Sequence, residues 1–185
     1  MTTPTGEKTI RAAIVDDHGI VRQGLRALLT RPGIEVVGEA ESGNAAIQLA
    51  ETLHPDVMLL DIRMKDGDGL QSLPNIKAVS PQTSVIILTT YANPAYLARA
   101  ISGGAAGYLS KETDPDQIVR AVRAAAAGDD LIDRTLLLAA LSHAASDSTP
   151  PPTDLDGSDV TIEPLSERES DVLRLMVQGF SNSVI

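Results

Sequence analysis

Three acidic residues and one lysine stand at or next to the end of short apolar segments: Asp16, Asp17, Asp61 and Lys111. If these side chains meet, three carboxylates share one crevice, and their mutual repulsion is severe at low dielectric unless a cation neutralises it. Ligation by oxygen atoms alone suits a hard ion that keeps several of its waters. The residue types and their placement therefore predict a Mg²⁺ site.

The segments that must position these residues alternate between apolar runs and helical patterns. Strands are predicted at Ile10–Val15, Ile34–Ala40, Val57–Leu60 (ending on Asp61), Val85–Leu88 (ending on Thr89) and Gly107–Leu109 (ending at Lys111). A helix with apolar residues at Val21, Leu25, Leu28 and Leu29 follows the first strand. Further helices are predicted over Asn44–Leu53, Leu70–Val79 and Pro94–Ile101, and after the capping residue Asp114.

Five strand–helix repeats in about 120 residues predict an α/β fold, a doubly wound five-stranded parallel sheet with helices on both faces. The strands are continuous apolar runs, as burial on both faces requires. The strand order expected for such a sheet, 2-1-3-4-5, places the first and third strands side by side, and functional residues gather at their carboxyl ends. We therefore expect Asp16, Asp17 and Asp61 to share one crevice, with Thr89 and Lys111 nearby.

The composition limits the classes of function. The chain has 185 residues, with 15 Lys+Arg against 25 Asp+Glu and a formal net charge of -10, which argues against nucleic-acid affinity for the chain as a whole. The absence of cysteine excludes a disulfide scaffold, thiolate catalysis and a cysteine zinc site. No segment predicts a membrane span or a signal peptide, so we expect a soluble cytoplasmic protein.

The C-terminal part of the chain has a different composition. Residues 134–145 predict one more helix, and residues 142–163 hold five acidic residues, three consecutive prolines and no Lys or Arg, which predicts a semi-rigid linker. A helical pattern with the capping box Ser166–Glu169 then runs to Gly179. We predict a domain at 8–130, a helix and acidic Pro-rich linker at 131–163, and a partial all-α segment at 164–185.

Five motifs in chain order resemble one family, the receiver domains of bacterial two-component response regulators. They are Asp16-Asp17, Asp61 within Leu59–Met64, Asp68-Gly69, Leu88-Thr89 and Gly107–Lys111. Leu165–Glu169 with Gly179–Asn182 resembles the start of a LuxR-type helix-turn-helix, and the two parts together resemble the NarL/FixJ subfamily of transcriptional regulators. The resemblance implies a flavodoxin-like receiver, a linker and a partial helix-turn-helix segment.

The resemblance implies that Asp61 accepts a phosphoryl group from a sensor histidine kinase and forms an acyl phosphate. It implies that Asp17, Asp61 and the backbone carbonyl of Arg63 ligate Mg²⁺, while Asp16 acts mainly through a bound water. Lys111 would pair first with Asp61 and then with the phosphoryl oxygens. The protein would be a phosphoacceptor in signalling rather than an enzyme, with self-catalysed phosphotransfer and dephosphorylation as its only reactions.

The resemblance also implies a conformational switch that controls the output. Thr89 would move inward to hydrogen-bond a phosphoryl oxygen, and Tyr108 would rotate into the space it leaves. Thr90 is an alternative for this role. We favour Thr89, because Thr89 directly follows the apolar run. Phosphorylation would favour a homodimer that binds promoter DNA through the complete C-terminal domain. The helix that enters the major groove in such a module comes after Ile185, so we expect a truncated chain that does not bind DNA specifically.

Two residues depart from the family pattern. Lys65 stands where the family usually has proline, so we expect the loop after Asp61 to be less rigid. Glu112 follows Lys111 where many receivers carry a cis-proline, although the NarL/FixJ branch commonly has an acid there. We interpret His18 as a surface neighbour of the acid pair, with a role as metal ligand as the alternative.

Two other classes of function compete with this interpretation. An aspartate-nucleophile phosphatase of the haloacid dehalogenase type also places Asp after a strand, but that chemistry needs a second Asp two residues later, where Arg63 stands. The other class is a phosphate-independent adaptor, in which the receiver serves only to dimerise. The presence of every acceptor-site group favours the phosphorylation switch over both.

Overall fold

A computed structural model of the protein describes residues 8–65, 67–90, 94–129 and 131–132. Five strands alternate with five helices, and a two-stranded hairpin of Arg63–Met64 and Gly67–Asp68 precedes the third helix. The strands are β1 (Ile10–Val15), β2 (Ile34–Ala40), β3 (Val57–Asp61), β4 (Ser84–Thr89) and β5 (Gly107–Ser110). The helices are α1 (Gly19–Leu29), α2 (Gly43–Leu53), α3 (Gly69–Val79), α4 (Pro94–Ser102) and α5 (Pro115–Ala127).

The five strands form one parallel sheet in the order β2-β1-β3-β4-β5, which confirms the predicted topology. The central strand β3 is buried along its whole length. Met58 and Leu60 face the core on the side of α2, α3 and α4, while Val57 and Leu59 face the core on the side of α1 and α5. Burial of both faces is the reason that the strands are apolar without alternation.

Side-chain caps start three of the helices. The side chains of Ser42, Asp68 and Asp114 each accept a hydrogen bond from a backbone N–H in the first turn of α2, α3 and α5 respectively. Pro115 lies in the first turn of α5, and Gly128 ends it with φ 87°, the left-handed conformation that glycine adopts most easily. These signals fix the ends of the helices and therefore the paths of the loops between strand and helix.

Within the described ranges no helix combines the length and apolar content that crossing a membrane requires. The helix predicted over 134–145, most of the predicted linker and the whole 164–185 segment lie outside the described residues.

At Gly69, the start of α3 packs closely against the end of β3. A Cβ at Gly69 would lie 2.0 Å from the backbone oxygen of Asp61, and a Cβ at Gly24 in α1 would meet nothing within 4 Å. We expect Gly69→Ala to lower the free energy of unfolding by at least the roughly 1–3 kcal/mol typical of overpacking. Gly24→Ala should instead raise it by about 0.5–1 kcal/mol, because alanine favours a helix interior. Urea unfolding followed by circular dichroism measures both, and equal effects of the two variants would contradict the close fit.

Candidate functional site

The carboxyl ends of the central strands bring the predicted acids to one edge of the sheet. β1 pairs with β3 in parallel, with Val15 opposite Leu60, so Asp16 and Asp61, which follow these residues, are neighbours. β3 pairs with β4 so that Asp61 lies opposite Leu88. This edge is the place where the strand order reverses, which is where open parallel sheets form a crevice.

Lys111 bridges two of the carboxylates. Its Nζ donates a hydrogen bond to Asp61 Oδ2 at 2.7 Å and lies 2.7 Å from Asp16 Oδ2. The side chains of Asp16, Asp61 and Lys111 are only 1%, 5% and 17% exposed. The backbone N–H of Lys111 donates to the carbonyl of Thr89 at 2.7 Å, which ties the end of β5 to β4. One ammonium group is therefore shared by two buried carboxylates.

Asp16 is held in place by its backbone and by α1. Its N–H donates to the carbonyl of Ala40 at 3.1 Å, and its own carbonyl accepts a hydrogen bond from Arg22 Nη1 at 2.6 Å. Asp16 Oδ1 accepts the backbone N–H of His18 at 2.9 Å. Arg22 Nε in turn lies 3.5 Å from Glu39 Oε2. Arg22 could not be recognised from the sequence, because the helical pattern does not show that this side chain reaches back to β1.

Asp17 contacts a different pair of groups. Its Oδ2 accepts the backbone N–H of Lys65 at 3.0 Å, and its Oδ1 lies 2.6 Å from His18 Nδ1. A proline at position 65 would have no N–H to donate. Lys65, which stands where the family usually has proline, therefore ties the loop after Asp61 to the acid cluster through its backbone N–H. No sequence signal reveals this, since the donor is a backbone group.

The hairpin after Asp61 carries the fourth predicted ligand. Arg63 pairs with Asp68 and Met64 with Gly67 in antiparallel register. Arg63 lies two residues after Asp61, and its backbone N–H hydrogen-bonds the Asp61 carboxylate. The structure thus places Arg63 beside the acid cluster through its main chain.

Asp68 links this hairpin to two helices. Its Oδ1 accepts the N–H of Leu70 at 2.8 Å and caps α3, and its Oδ2 accepts a hydrogen bond from Arg99 Nη1 of α4 at 2.6 Å. The ion pair between Asp68 and Arg99 could not be recognised from the sequence. The two residues are far apart in the sequence and meet only through the packing of α4 beside α3.

The two predicted switch residues lie on neighbouring strands. Thr89, the last residue of β4, is buried, whereas Thr90 is exposed, so the hydroxyl of Thr89 is the one inside the protein. Tyr108 of β5 lies opposite Ile87 of β4 and packs, half-buried, against the core on the side of α2, α3 and α4. Residues 91–93, which follow β4, lie outside the described ranges.

Burial controls the electrostatics of the cluster. It raises the pKa of the Asp61 carboxyl above its usual range, against the opposing effect of the hydrogen bond and charge of Lys111, and the charge of Asp16 raises that pKa further. Burial alone would lower the pKa of Lys111, but the carboxylates of Asp16 and Asp61 beside its ammonium group raise that pKa above its usual value. Lys111 therefore stays charged at neutral pH. Its positive charge offsets only in part the cost of burying the negative charge of Asp61.

The donor atoms fit a divalent cation. Asp16, Asp17, His18 and Asp61 each offer one ligand atom, and these four atoms lie within 4.8 Å of one another. Asp16 Oδ2 and Asp17 Oδ1 are buried and accept no well-oriented hydrogen bond from the described part of the chain, although Lys111 and His18 lie at ion-pair distance. Buried oxygens without hydrogen bonds are costly, and a cation with a preference for oxygen ligands would satisfy them.

Comparison with known proteins agrees with this geometry. Residues 12–123 match the response regulator receiver domain family. The nitrate/nitrite response regulator protein NarL of Escherichia coli (strain K12) is 34% identical over 174 residues, which cover 93% of this chain and 77% of that protein. The chain belongs to the NarL/LuxR family of response regulators.

Solved structures support the family and the fold of this response regulator. A LuxR-family two-component response regulator from Aurantimonas sp. SI85-9A1 matches with a TM-score of 0.67 and 30% identity, covering 75% of this chain and all of that one. RcsB from Salmonella enterica serovar Typhimurium, solved bound to the promoter rprA, matches with a TM-score of 0.57 and 32% identity, covering 63% of this chain and 67% of that one.

This response regulator is accordingly a phosphorylation-dependent member of a two-component system that regulates transcription. Its family acts in signalling and not as ordinary enzymes, which removes the phosphatase of the haloacid dehalogenase type from consideration. Membership implies a histidine kinase as partner and DNA binding through a LuxR-type output domain. The part of the chain that resembles the start of such a domain, residues 164–185, lies outside the described residues.

Asp61→Asn is expected to stabilise the metal-free protein at neutral pH by about 0.5–2 kcal/mol, because a buried charge is removed while the Lys111–Asp16 pair remains. The raised pKa means that the folded protein binds the Asp61 proton more tightly than the unfolded chain does. The contribution of Asp61 to stability therefore falls as pH rises from the usual 3.8 through the raised pKa, and the variant lacks this fall.

Urea unfolding with a chelator present, at neutral and mildly acid pH, measures this difference. Glu112→Gln, which removes an exposed acid next to Lys111, is the matched control and should change stability by less than about 0.5 kcal/mol. A less stable Asp61→Asn protein at neutral pH would contradict the electrostatic account.

Proposed function

We propose that the acid cluster is the phosphoacceptor site, with Asp61 as the residue that receives the phosphoryl group from a sensor histidine kinase. The observation that carries this proposal is the contact of Lys111 Nζ with Asp61 Oδ2 at 2.7 Å, in a pocket where Asp61 is almost fully buried. A buried carboxylate beside an ammonium group is both a nucleophile and a prepared site for a transferring anion.

The transfer requires Asp61 in its ionised form. A carboxylate oxygen of Asp61 forms a P–O bond while the P–N bond to the kinase histidine breaks, and that imidazole leaves with the electron pair of the broken bond and takes up a proton. The product on this chain is an acyl phosphate. Lys111 keeps Asp61 ionised before transfer and follows the phosphoryl oxygens afterwards, since its compact ammonium is a mobile point charge.

Mg²⁺ is the metal that we propose for the site. Asp17, Asp61 and the backbone carbonyl of Arg63 would hold it, with Asp16 acting mainly through a bound water. When bound, the ion neutralises the carboxylates and the incoming phosphoryl oxygens. The buried oxygens of Asp16 and Asp17 that lack hydrogen bonds support this assignment.

Thr89 and Tyr108 are proposed as the switch. Thr89 is buried at the end of β4, beside the strand that ends on Asp61, and its carbonyl already accepts the N–H of Lys111. A move of the Thr89 hydroxyl toward a phosphoryl oxygen would leave space for Tyr108 on β5. The change would reach the surface formed by α4, β5 and α5.

The rest of the chain would carry this change to the output. We propose a receiver domain at 8–130, a linker at 131–163 and the first part of a LuxR-type helix-turn-helix at 164–185. Phosphorylation would favour a homodimer, and promoter DNA would be bound through the complete C-terminal domain. The promoter-bound structure of RcsB, whose chain this one resembles, supports DNA as the final partner.

Phosphorylation can be tested with a small acyl phosphate donor and Mg²⁺, followed by intact mass. We expect one adduct of about 80 Da per chain, and its loss in Asp61→Asn. Glu112→Gln, which leaves the pocket intact, should retain the adduct. A wild-type protein without the adduct would support the phosphate-independent adaptor, and an adduct that survives Asp61→Asn would place the acceptor elsewhere.

The switch can be separated from the chemistry with Thr89→Ala. This variant should still form the adduct, since Thr89 is not the nucleophile, but phosphorylation should no longer strengthen dimerisation. In the wild type we expect the dimer dissociation constant to fall by about 5–150-fold, the usual range of allosteric coupling. Analytical ultracentrifugation before and after phosphorylation measures this, with the exposed Thr90→Ala as control. A Thr89→Ala protein that dimerises like the wild type would rule out the role of Thr89.

A further inference from the structure

The side chain of His18 has a position that the roles above do not use. His18 is the N-cap residue of α1, in an extended conformation with φ −89° and ψ 107°, yet its side chain makes no capping hydrogen bond. Ser42 and Asp68, at the same position of α2 and α3, do cap their helices. The imidazole Nδ1 lies instead 2.6 Å from Asp17 Oδ1 and 3.3 Å from Asp16 Oδ1.

The four side chains around this point can close on one ion. The ligand atoms of Asp16, Asp17, His18 and Asp61 are all within 4.8 Å of one another. Opposite ligands of an octahedral ion are about 4.2 Å apart at the bond length of roughly 2.1 Å that Mg²⁺ prefers. Only small movements are therefore needed, and His18, with 63% of its side chain exposed, is free to make them.

We propose that His18 is an imidazole ligand of this metal site, that it makes the site favour borderline divalent ions such as Co²⁺ and Ni²⁺, and that Mg²⁺ binds without it. This inference rests on the metal site of the proposed function. It adds a nitrogen donor to a site that is otherwise built from oxygen atoms.

The chemistry of the donors gives the reason for this selectivity. Mg²⁺ prefers oxygen ligands and keeps several waters, whereas imidazole nitrogen binds the later first-row ions more strongly. Loss of the imidazole should therefore weaken Co²⁺ binding and leave Mg²⁺ binding nearly unchanged. If His18 served only as a cation or hydrogen-bond donor beside Asp17, its loss would change the affinity for both ions alike.

Calorimetry with the full chain separates these two roles. His18→Gln should lower the affinity for Co²⁺ by about tenfold, while the affinity for Mg²⁺ changes by less than about twofold. His54→Gln is the matched control, because His54 precedes β3 at the opposite end from Asp61, and its ring Nδ1 lies 3.1 Å from Ser80 Oγ. This variant should bind both ions as the wild type does.

Proton NMR of the Co²⁺-loaded protein reports on the ligand directly. A strongly shifted exchangeable resonance from a coordinated imidazole N–H is expected in the wild type and in His54→Gln, and should be absent in His18→Gln. Its absence in the wild type, or equal losses of Mg²⁺ and Co²⁺ affinity in His18→Gln, would overturn the inference while leaving the proposed metal site standing. A protein that binds neither ion would overturn both.

Discussion

The sharing of Lys111 between Asp16 and Asp61 is the interaction on which the site depends. Asp17 belongs to the same cluster, so three negative charges against the one positive charge of Lys111 leave two uncompensated at this edge of the sheet. Backbone donors, such as the N–H of Lys65 on Asp17, reduce the cost only in part. The cluster therefore has a standing affinity for added positive charge, which the proposed exchange of a metal ion and a phosphoryl group would use.

The parallel sheet makes this concentration of charge possible. All five strands point in the same direction, so the residues that follow β1, β3, β4 and β5 meet at one edge, while apolar side chains bury both faces behind them. The hairpin after Asp61 lies outside this sheet and leads into α3. Through Asp68, which caps α3 and pairs with Arg99, the segment next to Asp61 contacts α4 directly. The hairpin and Asp68 therefore link the end of β3 to α4.

The strands, their order and the four charged residues of the pocket could be predicted because each depends on local sequence or on a general property of parallel sheets. Asp61 follows a fully apolar run, and in a chain of strand–helix repeats such a run is typical of a buried strand, which places the carboxylate at the strand end. The contacts of Arg22, Lys65 and Arg99 could not be predicted. They depend on the paths of loops and on backbone donors, which residue types do not reveal. The direction of the His18 ring could not be predicted either, because the position of His18 in the sequence is equally compatible with a helix cap.

Calorimetric titration of the full chain with Mg²⁺ shows whether the uncompensated acids form a single cation site. We expect one bound ion per chain in the wild type and loss of that binding in Asp17→Asn, with Glu112→Gln unchanged. A wild-type protein that takes up no Mg²⁺, or an Asp17→Asn protein that binds it as tightly as the wild type, would rule out such a site.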